Sequence, residues 1–218
     1  LREAKYLHAM RFETFLVDFH GSGESSESST TIGYREAEDV SAAVHYVRKN
    51  FAMKKPLILF GKSMGAAAIF RAVAIDPELQ PDLIIAEAIF ERLYTAVANR
   101  FHLVSAPPFP AAHLMMFWGG LSMNVPAFRH NPIDYARHIE CPTLLLHGTD
   151  DPRALPREAE AVQKNITAPS QLILFEGVTH QSCAKAVPEK WKRAVREFVD
   201  KHDLSQVNRD QSNSLSFH

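Results

Sequence analysis

The segment LILFGKSMG at Leu57–Gly65 says most about the fold of this chain. It opens with four consecutive apolar residues, which is typical of a strand buried on both faces of a parallel sheet. It ends in a G-x-S-x-G pattern, and the Ala-rich segment Met64–Ile75 that follows predicts a helix. Ser63 is therefore a candidate nucleophile, because a sharp strand-to-helix turn exposes the serine hydroxyl at the edge of the sheet.

The residues around Ser63 fit this interpretation sterically and electrostatically. We expect glycine at both Gly61 and Gly65 because a side chain at either position would clash across the turn. Ser63 would stand at a helix N-terminus, where free N–H groups favour negative charge, so the Met64 N–H is a candidate oxyanion donor. The alternative is an ordinary turn, but with only 9 glycines in the chain a chance match at such a junction is uncommon.

Outward from this stretch, apolar runs alternate with helical patterns. Four further runs predict strands, at Thr14–Val17, Leu83–Ala86, Thr143–Leu146 and Leu172–Phe175. Helical spacing of apolar residues predicts helices over Arg35–Lys49, from Pro156 to Ile166 and from Val187 to Phe198. The alternation predicts the α/β class, with a mostly parallel sheet and helices on both faces. In such sheets ligands bind beyond the carboxyl ends of the strands.

Two segments depart from this alternation. Residues from about 90 to 130 contain no predicted strand and are rich in Pro, Phe, Met and Ala, which favours a short helical lid insertion over a site. The polar residues 204–218 predict a disordered tail. Residues 1–203 would then form one domain.

A serine nucleophile needs a base, and eleven histidines are available. His180 is favoured because it follows the last predicted strand, in a loop at the carboxyl edge. His147 precedes Gly148 at a strand end and is expected to be packed there. Four histidines in or beside the lid could touch a substrate: His102, His113, His130 and His138.

The base needs a carboxylate to orient its imidazole. The sequence HGTDD at His147–Asp151 offers Asp150 and Asp151 directly after a predicted strand. Along the chain the candidates therefore come in the order Ser63, then Asp150 or Asp151, then His180. Either acid could instead cap the helix that begins at Pro156.

Composition excludes several classes of function. A net charge of −1 without a long basic run gives no footprint for a nucleic-acid partner. Cys141 and Cys183 form no C-x-x-C pattern, although a single disulfide is open on sequence alone. The Gly-rich loop Asp18–Ser25 lacks the lysine of a phosphate-binding loop, and we predict no metal and no cofactor. No run approaches the roughly 20 apolar residues that span a bilayer.

Together these motifs resemble the α/β-hydrolase superfamily over about residues 12–202, in particular the serine aminopeptidase and lysophospholipase-like hydrolases. Asp18–Ser25 is similar to the family's D-x-R-G-x-G-x-S loop, with His20 in place of arginine. Gly61–Gly65 resembles the nucleophile elbow, Cys141–Asp151 the C-P-x-L-x-x-H-G-x-x-D run, and Gly177–His180 the G-x-x-H of the base. The resemblance implies a triad of Ser63, Asp151 and His180.

The resemblance also implies a loop that carries an H-G motif and supplies the other oxyanion N–H. Leu1–Met10 is similar to the helix that follows this loop, so the loop itself would precede Leu1. The sequence as given is therefore expected to lack the N-terminal strands and half of the oxyanion hole, and to be poorly active or unstable alone. A membrane anchor could lie only in such a preceding segment.

The favoured function is a serine hydrolase of the carboxylesterase type, which cleaves a small-molecule ester or thioester through an acyl-serine, in the cytoplasm. One alternative is an aminopeptidase-type hydrolase that cleaves small N-terminal residues, with Glu87 and Glu91 available to bind the substrate amine. Another alternative is a non-catalytic, hydrolase-like binding protein.

Overall fold

A parallel four-stranded sheet lies at the centre of the computed structural model, which describes residues 2–23, 25, 29–51 and 56–204. The strands are neighbours in chain order, and every pairing is parallel. Their bounds are β1 Ile58–Lys62, β2 Leu83–Glu87, β3 Thr143–Gly148 and β4 Ser170–Phe175. Each coincides with a predicted apolar run. The predicted fold class, a parallel sheet with helices on both faces, is confirmed.

The helices of the described residues are α1 Arg2–Ala9, α2 Glu36–Asn50, α3 Met64–Ile75, α4 Leu93–Leu103, α5 Ala111–Met123, α6 Pro132–Tyr135, α7 Pro156–Asn165, α8 Cys183–Ala186 and α9 Pro188–Lys201. The predictions for α2, α3, α7 and α9 were correct to within one or two residues at nearly every end. Their apolar residues recur at helical spacing because one side of each helix packs on the sheet.

The two faces of the sheet bury different side chains of the same strand. In β2, Leu83 and Ile85 point to one face and Ile84 and Ala86 to the other, and all four are fully buried. Alternate residues of a strand point in opposite directions, so a strand covered on both faces must be apolar throughout. Helices α1, α8 and α9 cover the first face, and α2, α3, α6 and α7 cover the second.

Helices α4 and α5 form most of the segment predicted to be a lid. They pack on each other and on Phe90 through the buried side of α5, which carries Ala112, Met116 and Gly120. The opposite side of α5 is exposed and apolar, with Trp118 at 61% exposure and Leu121 at 64%.

The strand predicted at Thr14–Val17 is wrong. Residues 12–19 have no regular secondary structure, and Phe15 and Leu16 are 51% and 60% exposed. A strand needs a neighbour to receive its backbone hydrogen bonds. Within the described residues β1 pairs only with β2, so this apolar run has no ladder to join. Phe15 instead contacts Tyr46, which contacts Phe51, and we call these three rings the Phe15 cluster.

Three further predictions concern the ends of the chain and its thiols. The predicted tail lies outside the described residues except for Leu204, whose N–H donates to the Val199 carbonyl as α9 ends. Cys141 and Cys183 are buried and free, so the structure contains no disulfide between them. Among the residues that are described, no helix is both long and apolar enough to cross a bilayer.

Candidate active site

Ser63 occupies a strained backbone position between β1 and α3. Its φ of 50° and ψ of −109° lie outside the regions that L-residues ordinarily adopt. The Ser63 N–H donates to the Glu87 carbonyl at 2.7 Å, and the Ser63 carbonyl accepts from Ala67 N–H at 3.0 Å. Although Ser63 stands at the N-cap of α3, its side chain makes no capping hydrogen bond. The hydroxyl is therefore not occupied by the helix, unlike that of an ordinary N-cap serine.

The steric prediction for the two glycines is correct for Gly61 and wrong for Gly65. A Cβ on Gly61 would lie 2.6 Å from the main chain of Gly65, closer than non-bonded atoms come. Among the described residues, a Cβ on Gly65 would meet only the ring of Phe19, at an ordinary 3.8 Å. At this turn the side-chain position of Gly61 faces the main chain of Gly65. Only Gly61 therefore requires glycine.

Asp151 and His180 are in contact at the carboxyl edge of the sheet. The His180 Nδ1 lies 2.7 Å from Asp151 Oδ2, and the other carboxylate oxygen accepts the N–H groups of Arg153 and Ala154 at 2.9 and 3.1 Å. Burial alone would raise the pKa of Asp151, but the hydrogen bonds from His180 and from the two backbone groups outweigh it and hold this pKa below its ordinary value. The carboxylate thus stays ionised while 2% exposed.

The loop after β4 brings His180 back across the sheet. Its Val178 carbonyl accepts from Asp150 N–H at 3.1 Å, above the end of β3. A Cβ on Gly148 would lie 2.0 Å from that carbonyl, so only glycine lets the loop pass this closely. Farther along, Cys183 N–H donates to the Glu87 carboxylate at the end of β2. The loop therefore runs from the end of β4 toward the end of β2, the neighbour of β1, and His180 lies on this path.

Glu87 connects the serine turn to the histidine loop. Its backbone carbonyl holds Ser63, while its fully buried carboxylate accepts from Cys183 N–H at 2.9 Å and from Trp191 Nε1–H at 3.1 Å. Burial raises the pKa of Glu87, and these hydrogen bonds and the charge of Lys62 only partly oppose that rise. A carboxylate enclosed in this way cannot bind a substrate amine, so the role suggested for Glu87 in an aminopeptidase is wrong.

No hydrogen bond joins Ser63 Oγ to His180 within the part of the chain that the structure describes. The structure therefore brings the predicted acid and base into direct contact and places the serine at the same edge, without the serine–histidine bond. Hydrogen bonds of this kind are often long in proteins without substrate and tighten when it binds. Met64 begins α3, where first-turn N–H groups lack intrahelical acceptors.

The other candidates lie elsewhere. Asp150 is exposed and accepts from Thr149 Oγ1 at 2.9 Å, whereas His147 is fully buried, with its Nε2 2.7 Å from the Ala154 carbonyl. Burial lowers the pKa of His147, as expected of a packed histidine. His130 is also fully buried and contacts the Ile32 carbonyl, so it does not face a substrate.

Sequence reasoning missed a buried carboxylate that fixes the acid loop to α4. Glu158 accepts four hydrogen bonds, from Glu91 N–H, Thr95 Oγ1, Asn99 Nδ2 and Leu155 N–H. Asn99 also donates to the Arg153 carbonyl at 3.1 Å, two residues after Asp151. The local signal is a glutamate at the third position of a helix, but its partners in α4 are about 60 residues away in sequence.

The described residues contain no cluster of three or more His, Cys, Asp or Glu side chains that could hold a metal ion.

Comparison with known proteins gives one family model, that of the prolyl oligopeptidase family, which matches residues 2–204. The uncharacterized protein YqkD of Bacillus subtilis (strain 168) is 23% identical over 207 residues, which are 92% of this chain and 67% of that protein.

Solved structures share the fold. Esterase Pf2001 of Pyrococcus furiosus superposes with a TM-score of 0.72 at 22% identity, over 92% of this chain and 74% of that one. The monoacylglycerol lipase of Paleococcus ferrophilus gives 0.59 at 16% identity, over 92% and 89% of the two chains. An α/β serine hydrolase homologue from Coxiella burnetii gives 0.58 at 18% identity, over 90% and 74%.

These findings confirm the superfamily that the motifs predicted. Since the family model covers nearly the whole sequence, the chain belongs to the prolyl oligopeptidase family and is a hydrolase of the serine α/β type.

Proposed function

We propose that this chain cleaves a carboxylic ester or thioester through an acyl-serine intermediate, with Ser63 as nucleophile, His180 as base and Asp151 as the acid that orients it. The observation that carries the proposal is the 2.7 Å contact between His180 Nδ1 and the buried Asp151, at the same edge as the strained Ser63 turn. A carboxylate on Nδ1 leaves the other imidazole nitrogen, Nε2, available to take a proton.

The reaction proceeds in two halves. Ser63 Oγ attacks the acyl carbon as its proton passes to His180 Nε2, and the carbonyl oxygen becomes an oxyanion stabilised by the Met64 N–H and the N-terminus of α3. Collapse of this intermediate breaks the bond to the leaving alcohol or thiol, which receives the proton from His180. Water, deprotonated by His180, then attacks the acyl-serine, and as the bond to Ser63 Oγ breaks, His180 returns the proton to that oxygen and the carboxylic acid is released.

The preference for an apolar acyl group rests on the segment that contains α4 and α5. This segment packs around Phe90 and Ala154, residues that follow the carboxyl ends of β2 and β3, through the buried apolar side of α5. We infer that it acts as a lid and favours medium acyl or aromatic groups. Solved relatives of the same fold include proteins described as an esterase and a monoacylglycerol lipase.

A second candidate is hydrolysis of a peptide bond, which the family description favours. With Glu87 enclosed, Glu91 is the remaining acid suggested for binding a free amine. Glu91 is half-buried, and burial together with the nearby Glu158 raises its pKa. Ester hydrolysis remains our first proposal because Glu91 also lies near Arg92 and Arg157, which compete with a substrate amine.

The free thiols of Cys141 and Cys183 support a cytoplasmic location.

A fluorophosphonate probe tests whether the chain is catalytic. The wild-type chain should be labelled, Ser63→Ala should not be, and Ser122→Ala, which alters an exposed serine of α5, should be labelled like the wild type. An unlabelled wild type that is folded by circular dichroism would favour the non-catalytic binding protein.

A substrate series then separates the two activities. We expect turnover of p-nitrophenyl esters, with kcat/KM higher for a medium acyl chain than for acetate, and little turnover of aminoacyl-p-nitroanilides. A higher kcat/KM for the anilides would establish the peptidase instead.

A further inference from the structure

Helix α5 is apolar on its outward side as well as on its buried side. Ala112, Met116 and Gly120 recur every four residues and are buried. With 3.6 residues per turn, the residues that fall on the opposite side are Leu114, Phe117, Trp118 and Leu121. They are 53%, 55%, 61% and 64% exposed. A surface helix ordinarily carries polar residues on that side, so this one departs from the rule.

We call the α5 face these four residues together with Met115 and Phe109, which are 57% and 70% exposed. The rings of Phe117 and Trp118 are 5.3 Å apart, and Phe109 is joined to α5 through the ring of His113, at 5.4 Å. The six residues expose on the order of 800 Å², more than the 300–600 Å² of the largest patch on a typical monomer.

The α5 face lies in a stretch without charge. Residues 101–128 contain no Asp, Glu, Lys or Arg, and the bounding Arg100 and Arg129 are exposed. Depletion of charge together with enrichment of Trp, Phe and Met is the composition found at the centre of protein–protein interfaces. A helix that binds a lipid surface instead carries Lys and Arg on its polar side. Helix α5 has no Lys or Arg and buries its other side, so the composition favours a protein partner.

The geometry points to a second copy of this chain as that partner, bound through the α5 face in a two-fold symmetric dimer. In such a dimer both copies use the same patch, and each contributes about 800 Å² to an interface of standard size, which is the area that the α5 face offers. Phe117 and Trp118 lie midway between Leu114 and Leu121, so they lie nearest the axis when the two α5 helices cross.

The first experiment measures the oligomeric state of the 218-residue chain by analytical ultracentrifugation over a range of concentrations. We expect a dimer for the wild type. Trp118→Lys should raise the dimer dissociation constant at least about 30-fold, as loss of a central interface residue does. The matched control is Tyr46→Lys, which changes an exposed aromatic residue of α2 in the Phe15 cluster and should leave the constant unchanged. Circular dichroism verifies that both variants are folded.

The second experiment locates the interface by cross-linking, at a protein concentration high enough to populate the dimer that the substitution weakens. Trp118→Cys should form a disulfide-linked dimer under mild oxidation, because the two introduced thiols meet near the axis. The native Cys141 and Cys183 are buried and should not cross-link. Tyr46→Cys serves as the control and should stay monomeric on a non-reducing gel.

Several results would overturn the inference. A wild type that is monomeric throughout the concentration range contradicts it, as does a dimer that Tyr46→Lys disrupts and Trp118→Lys does not. A monomer that floats with phosphatidylcholine vesicles and loses this binding in Trp118→Lys would make the α5 face a lipid-binding surface instead.

Discussion

The carboxyl edge of the sheet buries charged side chains, whereas the α5 face exposes large apolar ones. At the edge, Glu87, Asp151 and Glu158 are each at most 2% exposed, yet their carboxylates accept hydrogen bonds on both oxygens. At the α5 face, large apolar side chains point into water. Buried charge and exposed apolar surface both cost stability. The buried carboxylates are thus paired by groups of the same chain, whereas the apolar side chains of the α5 face are left exposed by the described residues.

The sharpest test of the edge is Asp151→Asn. The amide cannot hold the imidazole in the tautomer that accepts the serine proton, so we expect kcat to fall by about 10⁴ while the fold is kept. Ester hydrolysis under saturating substrate measures this effect.

The neighbouring acid supplies the control for that substitution. Asp150→Asn changes an exposed carboxylate that accepts a hydrogen bond from Thr149 Oγ1, and kcat should stay within about twofold of wild type. Equal losses in both variants would show that the loop as a whole, and not the contact between His180 and Asp151, carries the activity.

Two alanine substitutions at the serine turn should differ in sign. Gly61→Ala places a Cβ against the main chain of Gly65 and should lower the free energy of unfolding by about 3 kcal/mol. Gly65→Ala meets only an ordinary contact inside a helix and should raise it by about 0.5 kcal/mol. Urea unfolding of both variants measures the difference, and equal destabilisation would contradict the geometry of the turn.

His130, which lies after α5 and packs in the core, makes stability depend on pH. Burial, only partly offset by the hydrogen bond with the Ile32 carbonyl, lowers the pKa of His130 from 6.5 to about 4. Between these values the unfolded chain binds a proton that the folded protein does not, so the stability present above pH 6.5 is lost as the pH falls. From pH 7 to 5 this histidine should remove about 2 kcal/mol of the free energy of unfolding.

The variant His130→Phe isolates that contribution. Its loss of stability over the same pH interval, measured by urea unfolding, should be about 2 kcal/mol smaller than that of the wild type. Parallel pH profiles for the two proteins would show that His130 takes up its proton without unfolding.

The smallest effect is expected at the α5 face. In dilute solution, where any dimer has dissociated, Trp118→Lys should change the free energy of unfolding by no more than about 0.5 kcal/mol, because the side chain has few partners within its own chain. A loss of several kcal/mol in the monomer would mean that Trp118 packs as a core residue, and the contrast between the two regions would disappear.

Local patterns in the sequence predicted most of the fold. The four strands of the sheet are short apolar runs, and the long helices repeat their apolar residues every three to four positions. Thr14–Val17 has the same pattern as those strands and failed as a prediction. Whether an apolar run becomes a strand depends on a neighbour to pair with, which its own residues do not encode.

The candidate site was predictable where motifs mark it. Ser63, Asp151 and His180 could be proposed as the site because each follows a strand in a recognisable pattern and order. The hydrogen bond from Cys183 N–H to the Glu87 carboxylate joins residues 96 apart in sequence. No local sequence motif predicts such a pair from a single sequence. Pairings at this distance are set by how helices α8 and α9 pack on the sheet.

The crossing of the histidine loop over the sheet also fixes its length. Val178 is held above Gly148 and Cys183 is held at Glu87, which leaves only four residues between the two attachments. An insertion or deletion there would displace the imidazole by several ångströms, since each residue spans up to about 3.5 Å. We expect homologous proteins to conserve the number of residues in this loop and to vary in length between α4 and α5.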